Sequence, residues 1–183
     1  VEWSPPRFEA VDPLKDAIIE KFKRDNDLTY KREEILVSCG GKHSLYNLFQ
    51  VLFQEGDEVI VPAPFWVSYP PMIELAGAKP VIMQTREEDD YQVTGEILKK
   101  HLTPKTKAVI LNYPSNPVGS VFYRENLEAI GRLAVEHDFF IVSDEIYEKL
   151  VYDDYKHISI ASMDNAFRER TIICHGVSKT YAM

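Results

Sequence analysis

One lysine near the end of the sequence is placed where covalent chemistry with a bound ligand is possible. Lys179 follows an apolar run that begins with the β-branched Thr171, Ile172 and Ile173, and a small-residue turn ending at Ser178 separates the two. Such runs predict short buried strands, and ligands of open α/β sheets bind outside the carboxyl ends of strands. A lysine amine can attack a carbonyl there, although most lysines are solvated surface charges.

A carboxylate and an amide also follow apolar runs. Asp144 comes directly after residues 139–143, and a carboxylate at the end of a buried strand needs a cationic partner or hydrogen bonds. Asn116 lies between two prolines after residues 108–111, so its amide is a well-fixed hydrogen-bond donor. Their structural alternatives are a helix cap for Asp144 and a turn for Asn116.

An aromatic residue and a glycine pair complete the set. Trp66 lies in a proline-rich stretch after residues 58–62. The pair Gly40-Gly41 separates a predicted strand at 35–39 from an amphipathic helix. A helix N-terminus after such a turn offers free backbone N–H groups to an anion, although glycine pairs at this place are often purely steric.

The elements that must position these residues alternate along the chain. Short apolar strands are predicted at 35–39, 58–62, 79–85, 106–112, 139–143 and from 171 onward, with amphipathic helices between them. This alternation predicts an α/β fold in one continuous domain, with a mostly parallel sheet covered by helices on both faces. The carboxyl ends of parallel strands meet at one edge, so the marked residues are expected in one crevice.

The expected contents of that crevice indicate a specific ligand. They are an anion cradle, a flat aromatic ring, a neutral amide donor, a buried carboxylate with a phenol nearby at Tyr147, and the amine of Lys179. A planar, phosphorylated heteroaromatic aldehyde with a protonated ring nitrogen matches all of them. Pyridoxal phosphate is that molecule.

The sequence resembles the class I aminotransferases of the aspartate aminotransferase fold type, and the Trp66 context is most similar to prokaryotic-type aspartate and aspartate/prephenate enzymes. The resemblance spans nearly the whole chain in the family's order. It is carried by Gly40-Gly41-Lys42, Pro64-Phe65-Trp66-Val67-Ser68-Tyr69-Pro70, Ser115-Asn116-Pro117-Val118-Gly119, Ser143-Asp144-Glu145-Ile146-Tyr147 and Gly176-Val177-Ser178-Lys179-Thr180-Tyr181-Ala182-Met183.

The resemblance implies three catalytic residues. Lys179 would bind the cofactor aldehyde as a Schiff base and carry the proton of the substrate α-carbon. Asp144 would pair with the pyridine nitrogen and keep it protonated. Tyr147, with Asn116, would hydrogen-bond the phenolate oxygen of the ring.

The resemblance also implies further cofactor and substrate contacts. Trp66 would stack on the ring. The phosphate would be held by backbone N–H groups at the Gly40-Gly41-Lys42 turn and by the hydroxyl of Ser178. Gly41, Trp66 and Asn116 are also expected to contact the substrate, and no metal site is predicted.

The sequence departs from the family pattern in several places. Trp3 stands where the family usually has a tyrosine, residues 7–11 lack a usual glycine, and Val118 replaces a threonine. The chain opens with valine and stops at Met183 inside the lysine motif. We therefore expect a truncated cofactor-binding large domain over residues 1–183, without the small domain, that is weakly active or inactive alone.

The composition of the chain argues against several classes of protein. A net charge of −8, with no basic block, argues against nucleic-acid binding, and no apolar run approaches the length of a membrane span. Cys39 and Cys174 share no metal spacing and are interpreted as reduced core residues of a cytoplasmic protein.

The leading hypothesis is amino-group transfer between aspartate and 2-oxoglutarate in a homodimer. A carbon–sulfur lyase of the same fold and a cofactor-sensing regulatory domain remain open.

Overall fold

The computed structural model describes residues 12–183, so the expectations about Trp3 and residues 7–11 lie outside the described part. The chain divides into two compact units, Val1–Cys39 and Gly40–Met183.

The described part of the first unit contains one long helix, α1 (Asp12–Asn26), and a short 3₁₀ turn (Arg32–Glu34). Helix α1 ends where Asp27 takes a positive φ of 55°. The guanidinium of Arg32 bonds to Asp12 at 3.0 Å and to Asp16 at 2.5 Å. These exposed ion pairs tie the turn to the helix.

The prediction of a strand at residues 35–39 is wrong. These residues form no strand, and Leu36 is 74% exposed. The apolar run is present, but an extended segment becomes a strand only through pairing, and residues 35–39 are not assigned to any strand. Cys39 is exposed, so its interpretation as a core residue is also wrong, whereas Cys174 is buried as expected.

The second unit alternates strands and helices. Its strands are β1 (Glu58–Ala63), β2 (Lys79–Gln84), β3 (Thr106–Asn112), β4 (Phe140–Asp144) and β5 (Thr171–Cys174). Its helices are α2 (Gly41–Leu52), α3 (Tyr69–Leu75), α4 (Gly95–His101), α5 (Arg124–His137) and α6 (Asn165–Arg170). None of the helices in the described part combines the length and the apolar character that a membrane span requires.

The five strands form one parallel sheet in the order β2-β1-β3-β4-β5. The α/β prediction is therefore confirmed, and the predicted strands from residue 58 onward are all present. Asp144 is the last residue of β4 and lies opposite Asn112 on one side and Cys174 on the other. The strand register thus brings the ends of β3, β4 and β5 together.

Two apolar layers cover the sheet. One packs α4, α5 and α6 against it through residues such as Leu98, Ile130 and Phe167. The other packs α2 and α3 through residues such as Phe49 and Ile73. Helix α6 is absent from the sequence-based prediction, because its six residues are too few for an apolar repeat.

Candidate active site

A cavity of about 110 Å³ opens at the carboxyl ends of the strands. Seven of the residues proposed from the sequence line it, together with four others. The proposed residues are Gly41, Lys42, Trp66, Asn116, Asp144, Tyr147 and Lys179, and the others are Leu45, Tyr69, Asn112 and Ile146. Gly40 and Ser178 do not line it.

Asp144 presents a buried carboxylate to this cavity. The residue is 6% exposed. Its Oδ2 accepts a hydrogen bond from the hydroxyl of Tyr69 at 2.6 Å, and its Oδ1 accepts one from the backbone N–H of Ile146 at 3.3 Å. Burial raises the pKa of Asp144, and the hydrogen bond from Tyr69 partly offsets that rise. A cation on the cavity side would therefore stabilise the ionised form.

Tyr69 is a site residue that the sequence interpretation missed. It is fully buried at the start of α3 and packs edge-on against Trp66, with the ring centroids 5.3 Å apart. Burial and the neighbouring Asp144 raise the pKa of Tyr69 well above its usual value, so the phenol stays protonated and donates. An aromatic residue three positions after Trp66, near a helix start, was the available signal.

Asn116 and Tyr147 converge at the cavity from two different loops. Asn116 Nδ2 lies 3.4 Å from the hydroxyl of Tyr147. Asn112, also missed, holds the Asn116 loop, because its Oδ1 accepts from the backbone N–H of Asn116 at 2.8 Å. Its Nδ2 donates to the backbone carbonyl of Asp144 at 2.9 Å, so one side chain joins both loops.

The N-terminus of α2 forms another wall. Gly40 precedes the helix with a φ of 103°, a backbone conformation that favours glycine. The N–H groups of His43 and Ser44 both bond to the Gly40 carbonyl, which leaves the amides of Gly41 and Lys42 at the open end of the helix. The Lys42 ammonium lies 4.9 Å from the centre of the Trp66 ring.

Lys179 reaches the cavity from the turn that follows β5. The residue is exposed, as is its neighbour Ser178. Beneath it, Cys174 ends β5 beside Asp144, and burial raises the pKa of its thiol. Asp144 therefore ends one strand and Lys179 follows its neighbour in the sheet, and both residues line the same cavity.

The donor set of this cavity fits pyridoxal phosphate. A buried carboxylate suits the ring nitrogen, a phenol and an amide 3.4 Å apart suit the ring oxygen, and a lysine amine suits the aldehyde. An indole ring and a helix N-terminus lie on the same cavity. The hydroxyl of Ser178 is the one predicted side-chain contact that does not line it.

Comparison with known proteins gives matches over nearly the whole chain. Residues 6–183 match the family model for aminotransferase class I and II. An aspartate aminotransferase of Bacillus sp. (strain YM-2) is 55% identical over 170 residues, which cover 93% of this chain and 43% of that protein. An aspartate/prephenate aminotransferase of Thermus thermophilus is 44% identical over 182 residues, which cover all of this chain and 46% of that protein.

Solved structures agree with the sequence matches. The Thermus thermophilus aspartate aminotransferase with maleate superposes on the whole chain with a TM-score of 0.92 at 44% identity and is covered to 46%. An aromatic aminotransferase from Pyrococcus horikoshii gives 0.93 at 42% identity and is covered to 48%. The chain thus spans less than half the length of these relatives.

Proposed function

The chain belongs to the class I and II aminotransferase family, and we propose that it is the cofactor-binding part of an amino-acid aminotransferase that uses pyridoxal phosphate. Residues 1–183 would form part of the large domain of that enzyme. The observation that carries this proposal is the convergence of Lys179, Asp144 and Tyr147 on one cavity at the strand ends.

The chemistry that the cofactor must supply explains why a buried carboxylate lies in this cavity. When bound, pyridoxal phosphate supplies an electron sink for bonds at the α-carbon of an amino acid. Asp144 would hold a proton on the ring nitrogen, because its buried carboxylate is stabilised by a cation. Tyr69, which donates to Asp144 at 2.6 Å, would fix the orientation of that carboxylate.

Lys179 would have two duties. Its amine would hold the cofactor aldehyde covalently, and when released it would move a proton at the substrate α-carbon. Tyr147 and Asn116 would donate hydrogen bonds to the ring oxygen, which stabilises its anionic form. Both side chains already point toward each other, so little reorganisation is needed.

The phosphate and the substrate would use the remaining walls. We place the phosphate at the amides of Gly41 and Lys42, after the turn at Gly40, with the Ser178 hydroxyl as an additional donor. Gly41, Trp66 and Asn116 would also contact the substrate, and Trp66 would stack on the cofactor ring.

The substrate proposal rests on the relatives. They are named as aspartate, aspartate/prephenate and aromatic aminotransferases, and the Thermus enzyme was solved with maleate, a four-carbon dicarboxylate like aspartate. We therefore propose aspartate as the amino donor and 2-oxoglutarate as the acceptor. These names do not favour the lyase or the sensor alternative. The homodimer and the cytoplasmic location stay predictions.

The decisive experiment maps the cofactor lysine. The chain is incubated with pyridoxal phosphate, reduced with borohydride and digested, and the labelled peptide is identified by mass spectrometry. We expect the label on Lys179 and its loss in Lys179→Arg, with Lys149→Arg as a matched control that keeps it. A folded chain that is unlabelled, or labelled elsewhere, contradicts the assignment.

A second assay separates the reactions. The complete product of the gene is given aspartate and 2-oxoglutarate, and glutamate formation is measured. A parallel assay supplies a thioether amino acid such as cystathionine; release of a thiol, pyruvate and ammonia from it, without glutamate formation from aspartate, would favour the lyase instead.

A further inference from the structure

A second buried carboxylate lies next to Asp144 but faces the other side of the sheet. Successive side chains of a strand alternate between faces, and Glu145 continues this alternation beyond the end of β4. Its backbone N–H donates to the carbonyl of Cys174 at 2.8 Å, which fixes it to the end of β5. Glu145 is fully buried and does not line the cavity.

Three side chains donate hydrogen bonds to this carboxylate. Oε1 lies 2.8 Å from the hydroxyls of both Ser143 and Ser159. Oε2 lies 2.8 Å from Nε2 of His157. Because a carboxylate only accepts, His157 must carry its proton on Nε2 in this arrangement. Ser159 and His157 belong to the irregular segment before α6, so the carboxylate ties that segment to the end of β4.

Tyr113 extends the network to the loop that carries Asn116. Its hydroxyl lies 3.3 Å from Ser143 Oγ and accepts from the backbone N–H of Ile160 at 3.1 Å. Its ring is stacked against those of Phe122 and His157, with centroid distances of 5.1 and 5.2 Å. Tyr113 is the first residue after β3, three positions before Asn116.

The network therefore joins the two loops that supply the proposed ring contacts. Glu145 directly follows Asp144, the last residue of β4, and opens the loop that carries Tyr147, whereas Asn116 follows Tyr113 in the other loop. We propose, on the basis of the function proposed above, that Glu145 is a positioning residue: its carboxylate holds both loops in the arrangement that receives the ring of pyridoxal phosphate.

The choice of substitution follows from the donor pattern. Glu145→Gln keeps the shape but turns one acceptor oxygen into an NH₂ donor, so a serine hydroxyl or the His157 ring must turn to accept from it and the network must rearrange. Ser159→Ala removes one donor and leaves the carboxylate in place. Ser162→Ala is the matched control, because its hydroxyl bonds the backbone carbonyl of Ser159 at 2.8 Å in the same segment without touching Glu145.

The first measurement is the dissociation constant and the visible absorption band of pyridoxal phosphate added to each chain. We expect Glu145→Gln to weaken binding by roughly tenfold or more and to shift the band, Ser159→Ala to weaken it by roughly threefold, and Ser162→Ala to leave both unchanged. In the complete gene product, kcat should fall more than KM changes. A folded Glu145→Gln chain with wild-type affinity and an unshifted band overturns the proposal.

The second measurement does not need the cofactor. Amide hydrogen exchange of residues 113–119 is compared between wild type, Ser159→Ala and Ser162→Ala without ligand. Faster exchange in Ser159→Ala alone supports the coupling of the two loops, and equal exchange in all three contradicts it. A wild-type chain that binds no pyridoxal phosphate would contradict the proposed function. The exchange measurement would still show whether the Glu145 network holds the two loops together. It also decides the case in which Glu145→Gln does not fold.

Discussion

At the scale of single residues, Asp144 has two opposite effects. Its carboxylate would stabilise the bound cofactor, but its burial lowers the stability of the folded chain when no cofactor is present. Its carboxylate is buried, and burial raises its pKa. The folded chain therefore holds the proton of Asp144 more tightly than the unfolded chain does. By linkage, stability falls as the pH rises from the ordinary pKa of 3.8 through the raised folded value, and the loss persists at neutral pH.

Asp144→Asn should have opposite effects on the stability of the chain and on its affinity for the cofactor. The variant removes the charge but can still accept from Ile146 and place its NH₂ toward the Tyr69 oxygen. Without cofactor it should be more stable than wild type at neutral pH and should lose the fall in stability above the ordinary pKa. Its affinity for pyridoxal phosphate should drop by about 2 kcal/mol, roughly thirtyfold, because the charged partner of the ring nitrogen is gone.

Urea denaturation at several pH values and a cofactor titration test both halves. Asp154→Asn, an exposed position, is the control and should change neither quantity. A less stable Asp144→Asn chain at neutral pH would show that the burial cost is already met by contacts within the protein.

Residue-level rules found part of the site and missed the rest for a definable reason. Ligands of α/β sheets bind at the carboxyl ends of strands, and this rule located four residues that the sequence places at such ends: Lys179, Asp144, Asn116 and Trp66. Tyr69 was missed because its partner is 75 residues away. The roles of Asn112 and Glu145 likewise depend on pairing between loops, which local patterns do not specify.

At the scale of elements, the strands that were predicted well are those that the sheet and its helices bury. Residues 106–112 and 171–174 are short apolar runs. They form strands because they pair with neighbouring strands of the sheet and are covered by helices on its faces. Residues 35–39 have similar composition but no strand partner in the described part. Apolar composition indicates burial or pairing, and only the tertiary contacts decide between strand and extended loop.

The contact between α5 and α6 depends on a glycine at the point where the two helices touch. Gly131 lies under the ring of Phe167, and a Cβ there would come within 2.5 Å of that ring. Replacing a helical glycine by alanine normally stabilises by up to about 1 kcal/mol. Here the clash should win, and Gly131→Ala should destabilise the chain by about 1–2 kcal/mol.

A double-mutant cycle with Phe167→Leu provides the control. The smaller side chain should relieve the clash, so the double variant should be more stable than the sum of the single effects by about 1 kcal/mol. Additive effects in urea denaturation would mean that α6 moves away freely and that Gly131 is not needed for the contact.

At the scale of the whole chain, all the residues proposed for the cofactor belong to the unit Gly40–Met183. The alternation of side chains along β4 gives this unit two separate buried polar regions, one at the cavity and one at Glu145. The sequence predicted the parallel sheet and the edge at which the site lies. It did not predict the second region, because His157 and Ser159 come from an irregular segment with no periodic signal.

A ligand that binds only the folded chain must raise the stability of that chain. At a concentration one hundred times its dissociation constant, pyridoxal phosphate should raise the free energy of unfolding by about 2.7 kcal/mol. Pyridoxal, which lacks the phosphate, should give a clearly smaller rise at the same concentration, because the helix N-terminus at Gly41 and Lys42 then has no anion to hold. Thermal denaturation followed by circular dichroism measures both. Equal shifts for the two compounds would show that the phosphate adds nothing to binding, and the proposed phosphate contacts at α2 would then be wrong.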